Sequence, residues 1–302
     1  MISGDKNILV AGSDARARLE LQRGQVDQLD AFVWPHAHSL WDIVTAARKV
    51  HYDIITAQDP FFRGHLALHL RQLFGGRVNI QVHVDLASCS WLRRLFAKLQ
   101  LWRADSIRAV SENIKQQVLQ IAPKAKISVL PVYTNISEFS SVSRGVHQGK
   151  KILWMGRFEE EKNPLEAINI LKQVLKEIPN AQLTMIGDGS LRQKLSDAAA
   201  NLPVLVPVGW QNPLLYLDTA DVLLSTSKHE SWGAVFVEAL AAGVPVVAPD
   251  VGIAKEAGAI VVPRPELASA VIKVLRSGER GVLKLSLPSA AEWARAWQKT
   301  LI

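Results

Sequence analysis

Between Lys151 and Leu275 the chain changes its hydrophobic period again and again. KILWM, LTMIG, VLVPVG, DVLLST, VPVVAP and AIVVP are short apolar runs rich in β-branched residues. PLEAINILKQVLKEI, LRQKLSDAAANL, PLLYLDTA, WGAVFVEALAAG and PELASAVIKVL lie between or after them, with apolar residues at helical spacing. Strands this apolar need cover on both faces, so the pattern predicts a mostly parallel sheet between helical layers. Pro164 suits the first turn of a helix.

The first half repeats the rhythm more roughly. NILVAG, DIITAQ, RVNIQVHV, SIRAV and ISVLPV read as strands; SLWDIVTAARKV, FFRGHLALHLRQLF, WLRRLFAKLQLW and ENIKQQVLQIA read as helices. Residues 12–38 receive no element. NISEFSSVSRGVHQGK is polar, weakly periodic and rich in Ser and Gly, which marks a linker. The fold class is therefore α/β, with two doubly wound, Rossmann-like domains expected to face each other across a cleft. Residues 1–140 form the first domain and 148–285 the second, and a last helix in 286–302 is expected to pack back toward the first. In such sheets ligands sit beyond the carboxyl ends of the strands.

Several function classes drop out early. One cysteine, Cys89, among 302 residues excludes a disulfide framework and a cysteine-rich metal site and fits a reducing compartment. The opening MISGDKNILVAGSD is too short an apolar run for a signal core or membrane span. The net charge of +7 favours anionic partners, whether nucleic acid, a membrane surface or a phosphorylated ligand. GDG at 187–189 invites a dinucleotide reading, but the third glycine of that fingerprint is missing, so it reads as a tight turn. The nine tryptophans read as core or interface.

KHESWGAVFVEALAAG carries Glu230 and Glu238 in an otherwise apolar run. Charge is tolerated there only when something holds it. With DVLLST as strand and SWGAVFVEALAAG as helix, Glu230 sits at the strand's carboxyl end. Glu238 then lies two turns into the helix, roughly 12 Å further on. First-turn N–H groups between them form an anion site, and Gly233 admits close backbone approach. A nucleotide sugar has matching parts, with hydroxyls at either end and a diphosphate between. GRFEEEKNP follows KILWM and brings Arg157 and Lys162 to that strand's carboxyl end, where two cations can clamp a diphosphate leaving group. No two aspartates are separated by a single residue, so an Asp-x-Asp metal clamp is absent and no metal ligand is assigned. As solvated loop charges and a helix-surface glutamate, the same residues would do nothing.

Together, GRFEEEKNP, MIGDGSLRQKL and VGWQNPLLYLDTADVLLSTSKHESWGAVFVEALAAGVPVVAPDVG resemble family 4 of the retaining glycosyltransferases, which have the GT-B fold. In the first half YDIITAQDPFFRG, VHVD and ADSIRAVSENI follow in the family's order. The resemblance implies that Arg157 and Lys162 bind the donor diphosphate and that Glu238 holds the ribose. It implies that Glu230, with backbone of Ser231, Trp232 and Gly233, meets the transferred sugar or its phosphate. Gly209 would line the base pocket, His83 would reach the donor sugar, and Gly12 stands where the family has a Gly-Gly loop after its first strand. The implied reaction transfers a sugar from a nucleotide-diphosphate sugar with retention, independent of metal and without a cofactor. A donor phosphate oxygen is thought to take the acceptor's proton. The acceptor is unassigned; lipid-linked and polysaccharide acceptors both fit, and nucleic acid is not expected. Two other readings stay open: a GT-B nucleotide-sugar epimerase, and a non-catalytic nucleotide-sugar-binding protein. The lone glycine at 12 motivates the latter.

WLRRLFAKLQLWRA gathers Trp91, Leu92, Leu95, Phe96, Leu99 and Trp102 on one side, with Arg93, Arg94 and Lys98 mostly off it. It reads either as a core-facing helix or as one lying on an anionic membrane surface. The expected location is the cytoplasm, including the inner face of the membrane.

Overall fold

A computed structural model describes residues 1–142, 150–209 and 211–302. The chain divides into two units, Met1–Tyr133 with Pro288–Ile302, and Thr134–Leu287. The first boundary thus falls at Tyr133 rather than at 140. Part of the expected linker, 143–149, lies outside the described residues, as does Trp210.

The first unit holds a six-stranded, all-parallel sheet. Its strands are β1 (Ile2–Ser3), β2 (Phe32–Val33), β3 (Ile54–Ala57), β4 (Arg77–Val82), β5 (Ser106–Ala109) and β6 (Ile127–Val129), in the order β2-β1-β3-β4-β5-β6. Five helices connect them: α1 (Asp14–Arg23), α2 (Leu40–Lys49), α3 (Phe62–Phe74), α4 (Trp91–Leu101) and α5 (Glu112–Ile121). Serine starts several of these helices for a local reason. The hydroxyls of Ser13, Ser39 and Ser111 accept first-turn N–H groups, and Ser39 forms a capping box with Asp42.

Two expectations are corrected here. NILVAG is not a strand: Lys6–Leu9 is a 3-10 turn, and the strand is Ile2–Ser3. Asp5 accepts from the Asn7 N–H at 3.0 Å and turns the chain, while Leu9 and Val10 stay exposed. Gly12 therefore follows that turn, at φ 77°, and the glycine after the first strand is Gly4. Residues 12–38 do contain structure, namely α1 and β2. DARARLELQR hides its helix because only Ala15, Leu19 and Gln22 are buried.

The second unit opens with a short helix, α6 (Ile136–Ser140). Its sheet comprises β7 (Lys150–Met155), β8 (Ala181–Ile186), β9 (Val204–Leu205), β10 (Val222–Leu224), β11 (Val246–Ala248) and β12 (Ile260–Val261). All pairings are parallel and the order is β12-β11-β10-β7-β8-β9. Helices α7 (Pro164–Val174), α8 (Arg192–Ala199), α9 (Leu214–Leu217), α10 (Ala234–Ala241), α11 (Ala254–Ala257) and α12 (Leu267–Ser277) cover it. Trp154, Phe158, Leu171, Leu183 and Leu195 lie in its buried core.

The last helix, α13 (Ala290–Thr300), belongs to the first unit. Trp293 and Trp297 are fully buried and pack with Leu130 and Leu301. The Asn79 amide donates to Thr300 O at 2.8 Å, and the Trp293 indole donates to Pro131 O at 2.8 Å.

The tryptophans do not all behave as core. Trp154, Trp232, Trp293 and Trp297 are buried, but Trp41 on α2, Trp91 at the start of α4 and Trp102 just after it are 74%, 71% and 62% exposed. The apolar side of α4 faces outward. Leu92, Leu95 and Leu99 are exposed, and the helix buries Ala97, Gln100 and Leu101 instead. The core-facing reading of that stripe is overturned, because Ala97, Gln100 and Leu101, all off the stripe, take the inner positions.

Candidate active site

Strand order locates the site in the second unit. Sequential numbering gives the order 3-2-1-4-5-6, whose direction reverses between β7 and β10, and a crevice forms where loops diverge from such a point. The loops after β7 and β10 are GRFEEEKN and STSKHESWG. They carry Arg157, Lys162, Glu230, Ser231, Trp232 and Gly233.

The structure joins two of these side chains directly. Lys162 Nζ lies 2.5 Å from Glu230 Oε1, with Lys162 19% and Glu230 8% exposed. The Ser227 hydroxyl donates to the same carboxylate oxygen at 2.8 Å. Glu230 is thus the counter-ion of Lys162, a relation that neither residue's loop reveals alone. The pair remains accessible through the lysine, which a fully desolvated pair would not be. Arg157 is arranged differently. Its side chain is 68% exposed and meets Glu161 at 2.6 Å on the surface, so solvent already weakens that pairing.

Hydrogen bonds fix both loops. Thr226 Oγ1 accepts from the Trp154 indole at 2.9 Å and donates to Lys162 O at 3.0 Å. The Lys228 N–H donates to Glu161 O at 2.7 Å. Arg264, just past β12, donates to Thr226 O at 3.0 Å and to Ser227 O at 2.5 Å. Sequence reading passed over Arg264, although VVPRPE does place a cation at the carboxyl end of an apolar run. The GDG segment is the tight turn expected. A Cβ on Gly187 would stand 1.9 Å from Gly156 O, so the turn seats itself against the Arg157 loop.

Helix α10 is shorter than its sequence implies. Gly233 takes φ 98°, and a Cβ there would meet the Phe236 ring at 2.6 Å. The helix consequently begins at Ala234, with no side-chain cap. Glu238 is its fifth residue, about one turn in rather than two, and half-buried. Glu230 lies before the helix, so the straight 12 Å rise does not apply between them. Trp232 is buried, with its indole N–H unpaired among the described residues. Gly252, after β11, backs directly onto this loop. Its position would put a Cβ 2.5 Å from Trp232 O and 2.8 Å from the Glu230 Cβ. Gly209 follows β9 at φ 75°, with open space where a side chain would stand.

His83 and Gly12 belong to the first unit. His83 follows β4, with Nε2 3.3 Å from Gln81 Oε1. Burial, then the charges of Arg108 and Arg18, push its pKa down to about 3, so the ring is neutral at physiological pH. Gly12 is exposed and lines no cavity with His83.

Comparison with known proteins bears on this arrangement. Residues 136–280 match the family described as glycosyl transferases group 1. A phosphatidyl-myo-inositol mannosyltransferase of Mycobacterium tuberculosis is 31% identical over 162 residues, covering 51% of this chain and 38% of that protein. A lipopolysaccharide core biosynthesis glycosyltransferase of Rhizobium meliloti, LpsE, is 30% identical over 151 residues, covering 47% of this chain and 43% of that one. Each match spans less than half the length of the relative. Among solved structures, Anabaena Alr3699/HepE in complex with UDP and glucose superposes with a TM-score of 0.67 at 18% identity, covering 90% of this chain and 82% of that one. S. aureus TarM gives 0.65 at 18% identity, covering 86% and 54%. The two parallel sheets and these likenesses give the α/β two-domain fold of the GT-B proteins. Over the unit that carries Arg157, Lys162, Glu230 and Glu238, the chain is similar to the glycosyl transferases of group 1.

Proposed function

We propose that this chain transfers a hexose from a nucleotide-diphosphate sugar to an acceptor, retaining the anomeric configuration and using no metal or cofactor. The observation that carries the reading is the Lys162–Glu230 pair at the β7–β10 switch point, ahead of an uncapped helix that holds Glu238. It lies inside the stretch matching the group 1 family. Lys162 and Arg157 neutralise the diphosphate as it leaves. Glu230 holds Lys162 in position. The backbone of Ser231, Trp232 and Gly233 approaches the phosphate and transferred sugar, Glu238 accepts from the ribose hydroxyls, and Gly209 lies beside the base. The relative and neighbour that act on mannose and bind UDP and glucose support a hexose donor. A donor phosphate oxygen takes the acceptor's proton, so no side-chain base is needed. His83, being neutral, offers a hydrogen bond to the donor sugar rather than a charge.

Calorimetric titration with UDP, GDP and ADP tests the donor reading. One of them should bind, and Glu238→Gln should weaken it by about tenfold, because a charge-assisted bond becomes a neutral one. Glu238→Gln with unchanged affinity for every nucleotide would remove the ribose assignment. If a nucleotide sugar binds but is neither transferred nor hydrolysed, the chain is a binding protein. If it is converted without an acceptor, it is an epimerase.

The acceptor side includes an anionic membrane surface, met through 91–104. No helix among the described residues is long and apolar enough to cross a membrane. Trp91, Leu92, Leu95, Leu99 and Trp102 are instead exposed on one helix whose flanks carry Arg93, Arg94, Lys98 and Arg103. An apolar stripe within a basic rim complements anionic headgroups. A lipid-linked acceptor and a place on the inner face of the membrane follow from this reading. The chain should co-sediment with phosphatidylglycerol vesicles but not with phosphatidylcholine. The triple variant R93E/R94E/K98E should lower that partitioning by roughly 10²-fold, at about 1 kcal/mol per basic residue. Equal sedimentation of the variant would leave a polysaccharide or other soluble acceptor in its place.

A further inference from the structure

The first unit has its own cavity, of about 500 Å³, beyond the carboxyl ends of β1, β3 and β4. Sheet order reverses between β1 and β3, which makes this the first unit's switch point. Three guanidinium groups line it, from Arg18, Arg63 and Arg108, against the carboxylates of Asp5 and Asp59. The charges do not cancel evenly. Arg63 is consumed, bound to Asp59 and donating to Trp34 O at 2.9 Å. Arg18 reaches Asp5 only at 3.9 Å. Arg108 is 2% exposed, and its three acceptors are neutral: Leu130 O at 3.1 Å, Pro131 O at 2.8 Å and Gln81 Oε1 at 2.8 Å. Among the described residues it has no carboxylate partner. A buried cation without a counter-charge is costly and is normally matched by an anion. His83 stands on the same wall, its proton affinity lowered first by burial and then by the charges of Arg108 and Arg18. The volume exceeds what one phosphate needs and suits a phosphate with a small polar body attached.

We propose that this pocket binds the phosphate of a phosphorylated acceptor, held by Arg18 and Arg108 with His83 as a neutral neighbour. The inference rests on the transferase reading, but the pocket is tested by binding alone. The phosphate has two sources, a soluble phosphate ester or a phospholipid headgroup. The full chain is titrated by calorimetry with glycerol 3-phosphate, with glycerol, and with monomeric short-chain phosphatidylglycerol, each with the bound nucleoside diphosphate saturating. Binding of glycerol 3-phosphate but not glycerol identifies a soluble ester; binding of the short-chain lipid alone identifies a headgroup. Either affinity should fall at least tenfold in Arg18→Gln, the range for losing a hydrogen bond to a charged group. Asp5→Asn frees Arg18 from its competitor and keeps the oxygen that receives the Asn7 N–H, so it should tighten binding several-fold. No phosphate ligand binding, displacement by the nucleoside diphosphate, or an Asp5→Asn variant that binds no better would overturn the proposal. Nucleoside diphosphate binding in the same sample keeps that failure separate from failure of the transferase reading.

Discussion

On the proposed transferase reading, Lys162→Ala should lower sugar transfer by about 10²-fold, the loss typical of removing one group that stabilises charge developing in a transition state. The same change should destabilise the second unit by about 3 kcal/mol. It strands Glu230, 8% exposed, leaving the Ser227 hydroxyl as its donor among the described residues, and breaking a largely buried pair from one side leaves an uncompensated charge. The two losses have different causes and can be separated. In the double variant Lys162→Met, Glu230→Gln no charge remains to be stranded, so thermal stability should return most of the way while transfer stays low. Arg157→Ala supplies the contrast. Its side chain is two-thirds exposed, so activity should fall comparably with stability changed by less than about 0.5 kcal/mol. Initial rates and melting curves on the four proteins decide it. Recovery of transfer in the double variant would mean that Lys162 serves only to neutralise Glu230.

Gly252→Ala should be as damaging without removing a charge. The residue sits at φ 55°, where an alanine costs roughly 1–2 kcal/mol. Its Cβ would also lie 2.5 Å from Trp232 O, a backbone atom with no flexible end to swing aside. Overpacking of this kind adds about 1–3 kcal/mol. Together they imply about 3 kcal/mol and a melting temperature lower by roughly 10 °C. The strain is relieved by moving the Glu230–Gly233 loop outward, so nucleotide-sugar affinity should fall about tenfold or more, since misplaced binding groups lose contact steeply. An alanine variant that melts and binds like the parent would show that the loop already has room to move.

What the sequence disclosed depended on how much each segment buries. In the second unit nearly every strand is apolar on both faces, and KILWM, LTMIG and DVLLST became β7, β8 and β10 with edges shifted by a few residues. At the amino end the logic failed. NILVAG is apolar but only its isoleucine is buried, so composition imitated a strand that pairing did not form. Ile2 and Ser3 make the strand because β2 and β3 flank them, and two residues carry no periodicity. The α4 stripe failed for the converse reason. Amphipathic spacing shows that a face is apolar, not which way it turns, and here the inner positions went to Ala97, Gln100 and Leu101. Arg157, Lys162 and Glu230 were legible as loop residues at strand ends. Their pairing was not, because Lys162 and Glu230 are brought together by β7 and β10 lying side by side, 68 positions apart in the chain. Gly252 and Arg264 went unseen because their work is done on backbone atoms of another loop.

The path of α13 also governs the order in which the protein can be made. The first unit's strands β1 to β6 leave the ribosome early, yet Asn79 and Ser106 also donate to Thr300 O and Leu301 O, which emerge last. The face that Trp293 and Trp297 cover stays open while the entire second unit is synthesised. At typical elongation rates that interval is on the order of ten seconds or more. The second unit, contiguous in sequence, closes first, and the nascent amino-terminal half waits with apolar surface on offer to chaperones or to neighbouring chains.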